Sequence, residues 1–203
     1  MTIPTDHRHA LCGMLARYAA AHAERRDAAV RILEFVSSTP DCFCRTCLQG
    51  HITGSAWLLN PAGDKALLTL HRNLKRWMQL GGHADGDPDV LRVALREATE
   101  ESGIQGIRPL SADIMDVDIH PIPARPDKGE PAHFHYDIRF LMQAPHERFA
   151  ISDESDDLAW WSFADIQSRR AELDEAVLRL ARIWMMKKRG RGQMGFDKPA
   201  ALG

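Results

Sequence analysis

The sequence lacks a long apolar run. Its apolar stretches fall far short of the roughly 20 residues that a helix needs to cross a bilayer. The first residues, 1–9, are polar and do not contain the apolar centre of a signal peptide. Both absences argue against a membrane-spanning or exported protein, and they predict a soluble chain that works in the cytoplasm.

A strong net charge is also missing. The 203 residues include 26 basic and 28 acidic side chains, which leaves a formal charge of -2. No bulk field therefore draws the protein toward nucleic acid or an anionic membrane, and neither is expected as a partner. Any recognition of phosphate must come from a local group of side chains. The length suits one catalytic domain with an extension.

Cysteine is scarce. The four cysteines are Cys12, Cys42, Cys44 and Cys47, and the last three precede His51. A secreted disulfide scaffold would carry more cysteines, so reduced thiols are expected. Three thiols and an imidazole are ligands that zinc accepts, but their spacing departs from paired C-x-x-C knuckles. Buried or loop thiols are the preferred interpretation, and a zinc-stabilised interaction protein is an alternative.

Hydrophobic periodicity divides the chain into helices and strands. Residues 6–37 predict one or two helices ahead of the main domain, and 56–59 and 66–70 predict two strands joined by a turn. The glycine-containing loop 81–87 leads into a helix that reaches residue 102. Asp87 or Asp89 would cap this helix, with Pro88 in the first helical position and Gly103 at the end.

The rest of the chain continues the alternation of strand and helix. Strands are expected near 113–119, 133–142 and 158–163, followed by a last helix over 163–188 in one or two pieces. This order, with helices on either side of a sheet, predicts an α/β/α layered domain.

The helix that follows the glycine loop carries an acidic face. Leu91, Ala94, Leu95 and Ala98 repeat at core spacing, whereas Glu97, Glu100 and Glu101 share another face. Like-charged pairs at this spacing repel each other by about 0.2–0.5 kcal/mol, a cost that a divalent cation reverses. Magnesium prefers such hard oxygen ligands and completes its shell with water and substrate phosphates.

The acidic face belongs to a longer pattern. Gly82, thirteen further residues, and then Arg96-Glu97-Ala98-Thr99-Glu100-Glu101-Ser102-Gly103-Ile104 closely resemble the Nudix box, G-x5-E-x7-R-E-U-x-E-E-x-G-U, where U is a bulky aliphatic residue. The wider element order from 51 to about 166 also looks like the Nudix fold. The resemblance implies an α/β fold, specifically a Nudix-type α/β/α sandwich with a mixed β-sheet, preceded by an N-terminal helical extension.

The same resemblance implies an activity. Nudix hydrolases cleave a nucleoside diphosphate linked to another group with Mg²⁺ or Mn²⁺, so the expected partner is a nucleotide or another diphosphate-containing small molecule. We divide the chain into a helical extension with the cysteine-containing loop (1–48), a hydrolase domain with its C-terminal helix (49–189) and a flexible tail (190–203). A homodimer is left open.

Matching residues to the box assigns roles. Glu97 and Glu101 would bind metal directly, and Glu100 would bind a second metal or assist a water. Arg96 would pair with one of these carboxylates and orient it. Gly82 would let the backbone approach the metal, because it has no side chain. Catalysis would therefore rest on Glu100, Glu101 and Arg96.

Two positions depart from the box. Pro88 stands where a glutamate is expected, and Ala98 stands where a larger aliphatic residue is expected. Asp85 or Asp87 would have to supply the missing carboxylate. If neither does, the chain would be a catalytically weakened Nudix-fold module that binds or regulates.

Further candidates lie outside the box. His133, His135 and Asp137 alternate on one strand and would face the pocket, unless the strand is simply polar on its solvent side. Asp116, Asp118 and His120 pose the same alternatives. Arg72 belongs to a basic group upstream of Gly82 that would hold a diphosphate, unless the group is simply a surface cluster, and His83 is a further candidate for binding substrate. Glu154, in the acidic stretch 153–157, would act as a further base, although such a stretch is also typical of a solvated loop.

Overall fold

A computed structural model describes residues 5–72, 74–126, 129–152 and 155–193. The chain begins with helix α1 (Thr5–Ala21), a short 3-10 turn (Ala23–Arg25) and helix α2 (Arg26–Ser38). The remaining helices are α3 (Val90–Ser102), α4 (Phe163–Ser168) and α5 (Glu175–Gln193). Within these described ranges, no helix combines the length and the apolar character that a bilayer span requires.

Eight strands among the described residues form one mixed sheet. In chain order they are β1 (Gly50–Leu59), β2 (Lys65–His71), β3 (Trp77–Met78), β4 (Leu80–His83), β5 (Arg108–Pro109), β6 (Asp116–Ile122), β7 (His133–Gln143) and β8 (Ser155–Ser162). β1 runs parallel to β7 along its whole length, from the pair Gly50 and Phe134 to the pair Leu59 and Gln143. The other pairings are antiparallel, with β4 on β1, β6 on β7 and β8 on β2.

Helices cover both faces of this sheet. On one face, α1, α2 and α3 bury side chains such as Ile32 and Val93 against Ile138. On the other face, α5 buries Val177 and Trp184 against Trp57. All ten residues of β1 are buried, as expected for a strand covered on both sides. The predicted α/β/α sandwich with a mixed sheet and N-terminal helices is therefore confirmed.

A buried ion cluster joins the N-terminal helices to the sheet and to α5. Arg139, 1% exposed, donates to Asp116 at 2.9 Å and to Asp118 at 3.1 Å. Arg25, which ends the 3-10 turn, donates to Asp118 at 3.0 Å, and Arg179 on α5 does the same. Asp116 and Asp118 thus hold elements together, and they do not face a pocket as one interpretation of their alternation predicted.

Several predicted boundaries were wrong. β6 begins at Asp116 and extends to Ile122, so it includes the first residues of a proline-containing segment. The last helix has the two-piece form that the sequence left open, since a 3-10 turn (Arg170–Glu172) separates α4 from α5. α5 continues to Gln193, so the segment predicted as a tail from residue 190 starts within a helix. Its remaining part, 194–203, lies outside the described residues.

Candidate active site

Helix α3 packs against β1. Its two ends are defined by a side-chain cap and by a glycine. Asp89 is the N-cap, since its side chain accepts a hydrogen bond from the Arg92 amide. Pro88 therefore precedes the cap, and its predicted place inside the helix was wrong. Gly103 ends the helix in the left-handed conformation at φ 68°, as predicted.

The buried face of α3 differs from the predicted stripe. Val90, Val93, Ala94 and Ala98 are buried, whereas Leu91 and Leu95 are only partly covered. The cause is the close approach of strand and helix: a Cβ at Gly54 would lie 2.9 Å from the Val90 carbonyl oxygen. Small and β-branched side chains fit this contact better than leucine does, which also explains why Ala98 suffices at its position.

The three glutamates of α3 line one cleft. Glu97, Glu100 and Glu101 border a cavity of about 560 Å³, together with Gly82 and Arg96. Glu100 is exposed, and the Glu97 side chain is only 13% exposed. The box residues predicted as metal ligands and catalytic groups are thus brought together in one place.

Arg96 connects the acidic helix to the glycine strand. Its Nη2 donates to Glu97 Oε1 and to the His83 carbonyl, both at 2.7 Å. Burial opposes the charge of Arg96, but the hydrogen bond to Glu97 and nearby carboxylates outweigh it and raise the pKa of Arg96. The guanidinium therefore stays charged and holds the Glu97 carboxylate in one orientation, which is the role predicted for it.

Strand β4 brings backbone close to the carboxylates. A Cβ on Gly82 would overlap the carboxylate of Glu97, so this glycine makes room for the side chain as well as for any ion beside it. The Gly81 amide donates to Glu101 Oε1 at 3.2 Å. The two glycines thus position two of the three carboxylates.

The opposite wall comes from central strands. Asp137, 2% exposed, accepts hydrogen bonds from Thr53 at 3.0 Å and Ser55 at 2.8 Å, and from Arg139 at 2.7 Å. Thr53, Ser55 and Gln79 line the cleft, and sequence reasoning missed all three. Polar residues at alternate positions of the otherwise apolar run 51–59 were the signal that could have found the first two.

Histidines occupy the end of the cleft. His83, His120 and His135 line it, and His135 also lines a neighbouring pocket of about 460 Å³. That pocket, here called the histidine pocket, includes His51 and His133 as well. Burial lowers the pKa of His51 and His83 to about 4 and that of His135 to about 2, so these imidazoles are neutral at pH 7.

Arg72 is not among the residues that line the cleft. Arg72 lies at the histidine pocket, where it donates to the Ser155 carbonyl at 3.2 Å and pairs with Asp156 at 3.4 Å. Its predicted phosphate contact would therefore be made from that side. Glu154 lies outside the described residues.

Asp85, rather than Asp87, faces the cleft near the missing box glutamate. Asp85 lines the cavity and accepts two hydrogen bonds from Arg45, at 2.5 and 2.8 Å. Asp87 binds Arg92 at 2.8 and 2.7 Å on the exposed side of the helix start. Pro88 itself is buried. Of the two aspartates proposed as substitutes, Asp85 is the one in reach of the site.

The cysteines do not form the alternative zinc site. Cys42 is fully buried in the core, where burial raises the pKa of its thiol to about 12. Cys47 is buried too, and all four thiols are free. In the described part of the chain, the one group of three such side chains whose ligand atoms already lie within 4.8 Å of one another consists of His51, His133 and His135, without a cysteine. The alternative interpretation, an interaction protein stabilised by zinc at the cysteines, therefore has no such group of ligands to support it among the described residues.

Comparison with known proteins identifies the family. The profile of the NUDIX domain matches residues 51–181. A probable DHNTP pyrophosphohydrolase of Lactococcus lactis subsp. cremoris (strain MG1363) is 24% identical over 131 residues, covering 64% of this chain and 77% of the relative.

Solved structures agree on the fold. A NUDIX-family hydrolase from Clostridium perfringens is 21% identical with a TM-score of 0.51, covering 67% of this chain and 97% of its own. An Ap4A hydrolase from C. elegans is 17% identical with a TM-score of 0.51, covering 68% and 98%. The resemblance seen in the sequence is thereby confirmed, and the chain belongs to the Nudix hydrolase family.

Proposed function

We propose that this Nudix hydrolase uses Mg²⁺ or Mn²⁺, held by Glu97, Glu100 and Glu101, to cleave a phosphoanhydride bond in a nucleoside diphosphate-linked substrate. One observation carries the proposal: three carboxylates that would repel each other line one cleft, beside a glycine whose missing side chain leaves room for Glu97. Hard, negatively charged oxygens in a cleft are the ligand set that such ions prefer.

The protein's own groups would orient the reaction. Arg96 fixes Glu97 and the Gly81 amide fixes Glu101, so two ligands are held before substrate arrives. A divalent ion bound there would neutralise charge on the phosphates and lower the pKa of a water. To Glu100, which is exposed and lines the cleft, we assign the task of assisting that water. We also retain Glu154 as a candidate base.

The substrate is proposed to be a small nucleotide. The relatives described above include a probable DHNTP pyrophosphohydrolase and an Ap4A hydrolase, which points to nucleoside triphosphates and dinucleoside polyphosphates as the first compounds to test. His83 and His135 offer neutral donors along the cleft wall, and Arg72 lies at the adjoining pocket. The free thiols fit a reducing compartment, so we propose the cytoplasm as its place of action.

A second candidate function rests on Pro88. A proline supplies no carboxylate at the box position that normally carries one, and Asp87 is engaged by Arg92. A chain with this defect would bind nucleotide without turning it over. Asp85 is the residue that decides between the two, because it faces the cleft.

A nucleotide panel tests the proposal. The purified chain would be incubated with nucleoside triphosphates, dinucleoside polyphosphates and nucleotide sugars, with Mg²⁺, with Mn²⁺ and with chelator, and the products would be separated by ion-exchange chromatography. We expect metal-dependent cleavage between two phosphates of at least one compound. Tight nucleotide binding without product under every condition would instead support the binding module.

A further inference from the structure

Three histidines meet at the paired ends of the two parallel strands. His51 is the second residue of β1, and His133 and His135 lie at the start of β7, where His51 and His135 are register partners. One ligand nitrogen from each of the three lies within 4.8 Å of the others. The group joins residues more than 80 positions apart, so the fold, rather than the chain, creates it.

His51 is buried without a hydrogen-bond partner. It is 4% exposed, and neither of its ring nitrogens makes a hydrogen bond to any described residue. A weak contact with the Cys47 backbone raises the pKa of His51, but it does not meet the geometry of a hydrogen bond to either ring nitrogen. A buried polar group without a partner destabilises a fold unless something else satisfies it. A metal ion bound to one ring nitrogen would satisfy that nitrogen.

His133 is held in the orientation of a ligand. Its Nδ1 lies 2.9 Å from the Pro131 carbonyl oxygen, and a carbonyl can only accept. Nδ1 therefore carries the proton, and the lone pair is on Nε2, which lies 3.4 Å from His135 Nε2. Metal-binding histidines commonly use their second nitrogen in this way, donating to a backbone carbonyl.

Positive charges around the histidine pocket are balanced. Arg45 pairs with Asp85, Arg125 pairs with Glu130 at 3.6 Å, and Arg72 pairs with Asp156 at 3.4 Å. Each of these arginines is neutralised by a neighbouring carboxylate, so their positive charge does not exclude a cation from the pocket. Cys47 also lines this pocket, but burial raises the pKa of its thiol and it is not one of the three converging ligands.

We propose that His51, His133 and His135 bind a transition-metal ion of the Zn²⁺ type at a site separate from the carboxylate cleft. Three imidazole nitrogens suit Zn²⁺, Co²⁺ or Ni²⁺ and are poor ligands for Mg²⁺, which requires oxygen. Three protein ligands leave a fourth position open. Because His135 lines both the histidine pocket and the cleft, that open position lies near the wall shared by the two cavities.

Cobalt titration tests the site without substrate. Chelator-stripped full-length protein, in excess Mg²⁺ to occupy the carboxylate cleft, would be titrated with Co²⁺ while visible absorption is recorded, and the cobalt would then be displaced by Zn²⁺. We expect one equivalent to bind. His133→Ala should weaken binding by more than about tenfold, since even the loss of an outer partner costs about 10–100-fold. His9→Ala, which removes an exposed histidine of α1, should bind cobalt as the unaltered chain does.

The carboxylate variant separates the two sites. Glu101→Gln should bind cobalt as well as the unaltered chain, because its side chain is not one of the three ligands. The proposal would be overturned if His133→Ala bound cobalt as tightly as the unaltered chain does. It would also be overturned if Glu101→Gln lost cobalt binding, or if the unaltered chain gave no cobalt absorption. These results leave the hydrolase proposal standing, since no turnover is measured.

A measurement on the unaltered chain covers the case in which His133→Ala does not fold. X-ray absorption of the zinc-loaded protein should show three imidazole ligands. A thiolate ligand, or a shell of oxygens only, would place the ion at the cysteines or in the cleft and would refute the histidine site.

Discussion

At the residue scale, the site depends on the absence of one side chain. Gly82 sits so close to Glu97 that a single added carbon would occupy the place of its carboxylate. Arg96 holds the same carboxylate from the other side at 2.7 Å. The position of the Glu97 carboxylate is therefore set both by the missing side chain of Gly82 and by the guanidinium of Arg96. A substitution of either residue should affect metal binding more than it affects the fold.

Gly82→Ala should lower metal affinity and activity by about 10–100-fold, the usual effect of disturbing a group that orients a ligand. Glu97 must move to escape the new methyl group. The measurement is the Mg²⁺ concentration for half-maximal activity. Gly13→Ala is the control, because a Cβ there makes only an ordinary contact at 3.5 Å and suits the helix. A Mg²⁺ requirement that stays unchanged in Gly82→Ala would show that Glu97 is not a ligand.

Glu101→Gln should reduce kcat by at least about 100-fold while the fold remains intact, since a direct ligand matters more than an outer partner. The amide can still accept the Gly81 hydrogen bond at its oxygen, so the local backbone keeps its contact. Glu34→Gln, on the exposed face of α2, should leave kcat unchanged. A kcat for Glu101→Gln within a factor of two of the unaltered chain would remove Glu101 from the catalytic set.

At the scale of elements, the ion cluster around Arg139 connects four of them. β6 and β7 supply the aspartates and the central arginine, and the 3-10 turn and α5 add Arg25 and Arg179. The Arg139 guanidinium is almost completely removed from water, and burial works against its charge, but three aspartates outweigh that effect and raise its pKa. A buried charge of this kind is tolerated only while its partners are present.

Arg139→Ala should lower the free energy of unfolding by about 3–5 kcal/mol, because it leaves the buried carboxylate of Asp137 without its cationic partner. Arg182→Ala, which breaks the exposed pair with Glu175 at 3.4 Å, should change it by less than about 1 kcal/mol. Urea denaturation of both variants compares the two. Equal effects would mean that the cluster contributes no more than a surface ion pair.

The same cluster predicts the behaviour of the protein in acid. Burial of Asp118 opposes its ionisation, but the hydrogen bond with His120 and the charges of Arg139, Arg179 and Arg25 outweigh it and lower its pKa. A carboxyl with a lowered folded-state pKa stabilises the fold fully above its unfolded value of about 3.9, and this contribution is lost as the pH falls further.

Below pH 4, the unaltered chain should therefore lose stability with a contribution from Asp118 of up to about 1.4 kcal/mol per pH unit. Asp118→Asn should be less stable at pH 7. Below pH 4, its free energy of unfolding should fall less steeply with falling pH, by the slope that corresponds to about one proton. Unfolding measured at several pH values between 2 and 7 gives both slopes. Parallel curves for the two proteins would exclude this role of Asp118.

At the scale of the whole molecule, the N-terminal helices share a core with the family domain. Leu15 and Ile32 belong to the same buried cluster as Ala94 and Phe140, and Phe35 stacks on Tyr136 with ring centroids 4.1 Å apart. The NUDIX match starts at residue 51, after these helices. The helices thus cover an apolar face of the sheet that the family domain presents.

A chain of residues 49–203 should fail to unfold cooperatively and should aggregate, because that face would be open to water. Thermal unfolding and gel filtration would show this. Co-expression of residues 1–48 as a separate chain should restore a soluble complex if covering the face is their task. A truncated chain that melts cooperatively within a few degrees of the full one would contradict the shared core.

The sequence by itself determined the family, the layered fold and the acidic helix, because these depend on local spacing. Glu97, Glu100 and Glu101 share a face through helical periodicity alone, and Gly82 and Arg96 stand at box distances that need no coordinates. His133 and His135 could likewise be placed on one face of a strand by alternation.

Only the tertiary structure decided which distant residues meet. His51 was grouped with the cysteines that precede it, yet the parallel pairing of β1 with β7 places it beside His133 and His135. Asp116 looked like a pocket residue on its strand but is fully buried against Arg139. Asp85 and Asp87 could not be told apart until the turn directed one toward the cleft and the other toward Arg92. Strand pairing and turn geometry join parts of the chain far apart in sequence, so no local pattern encodes these contacts.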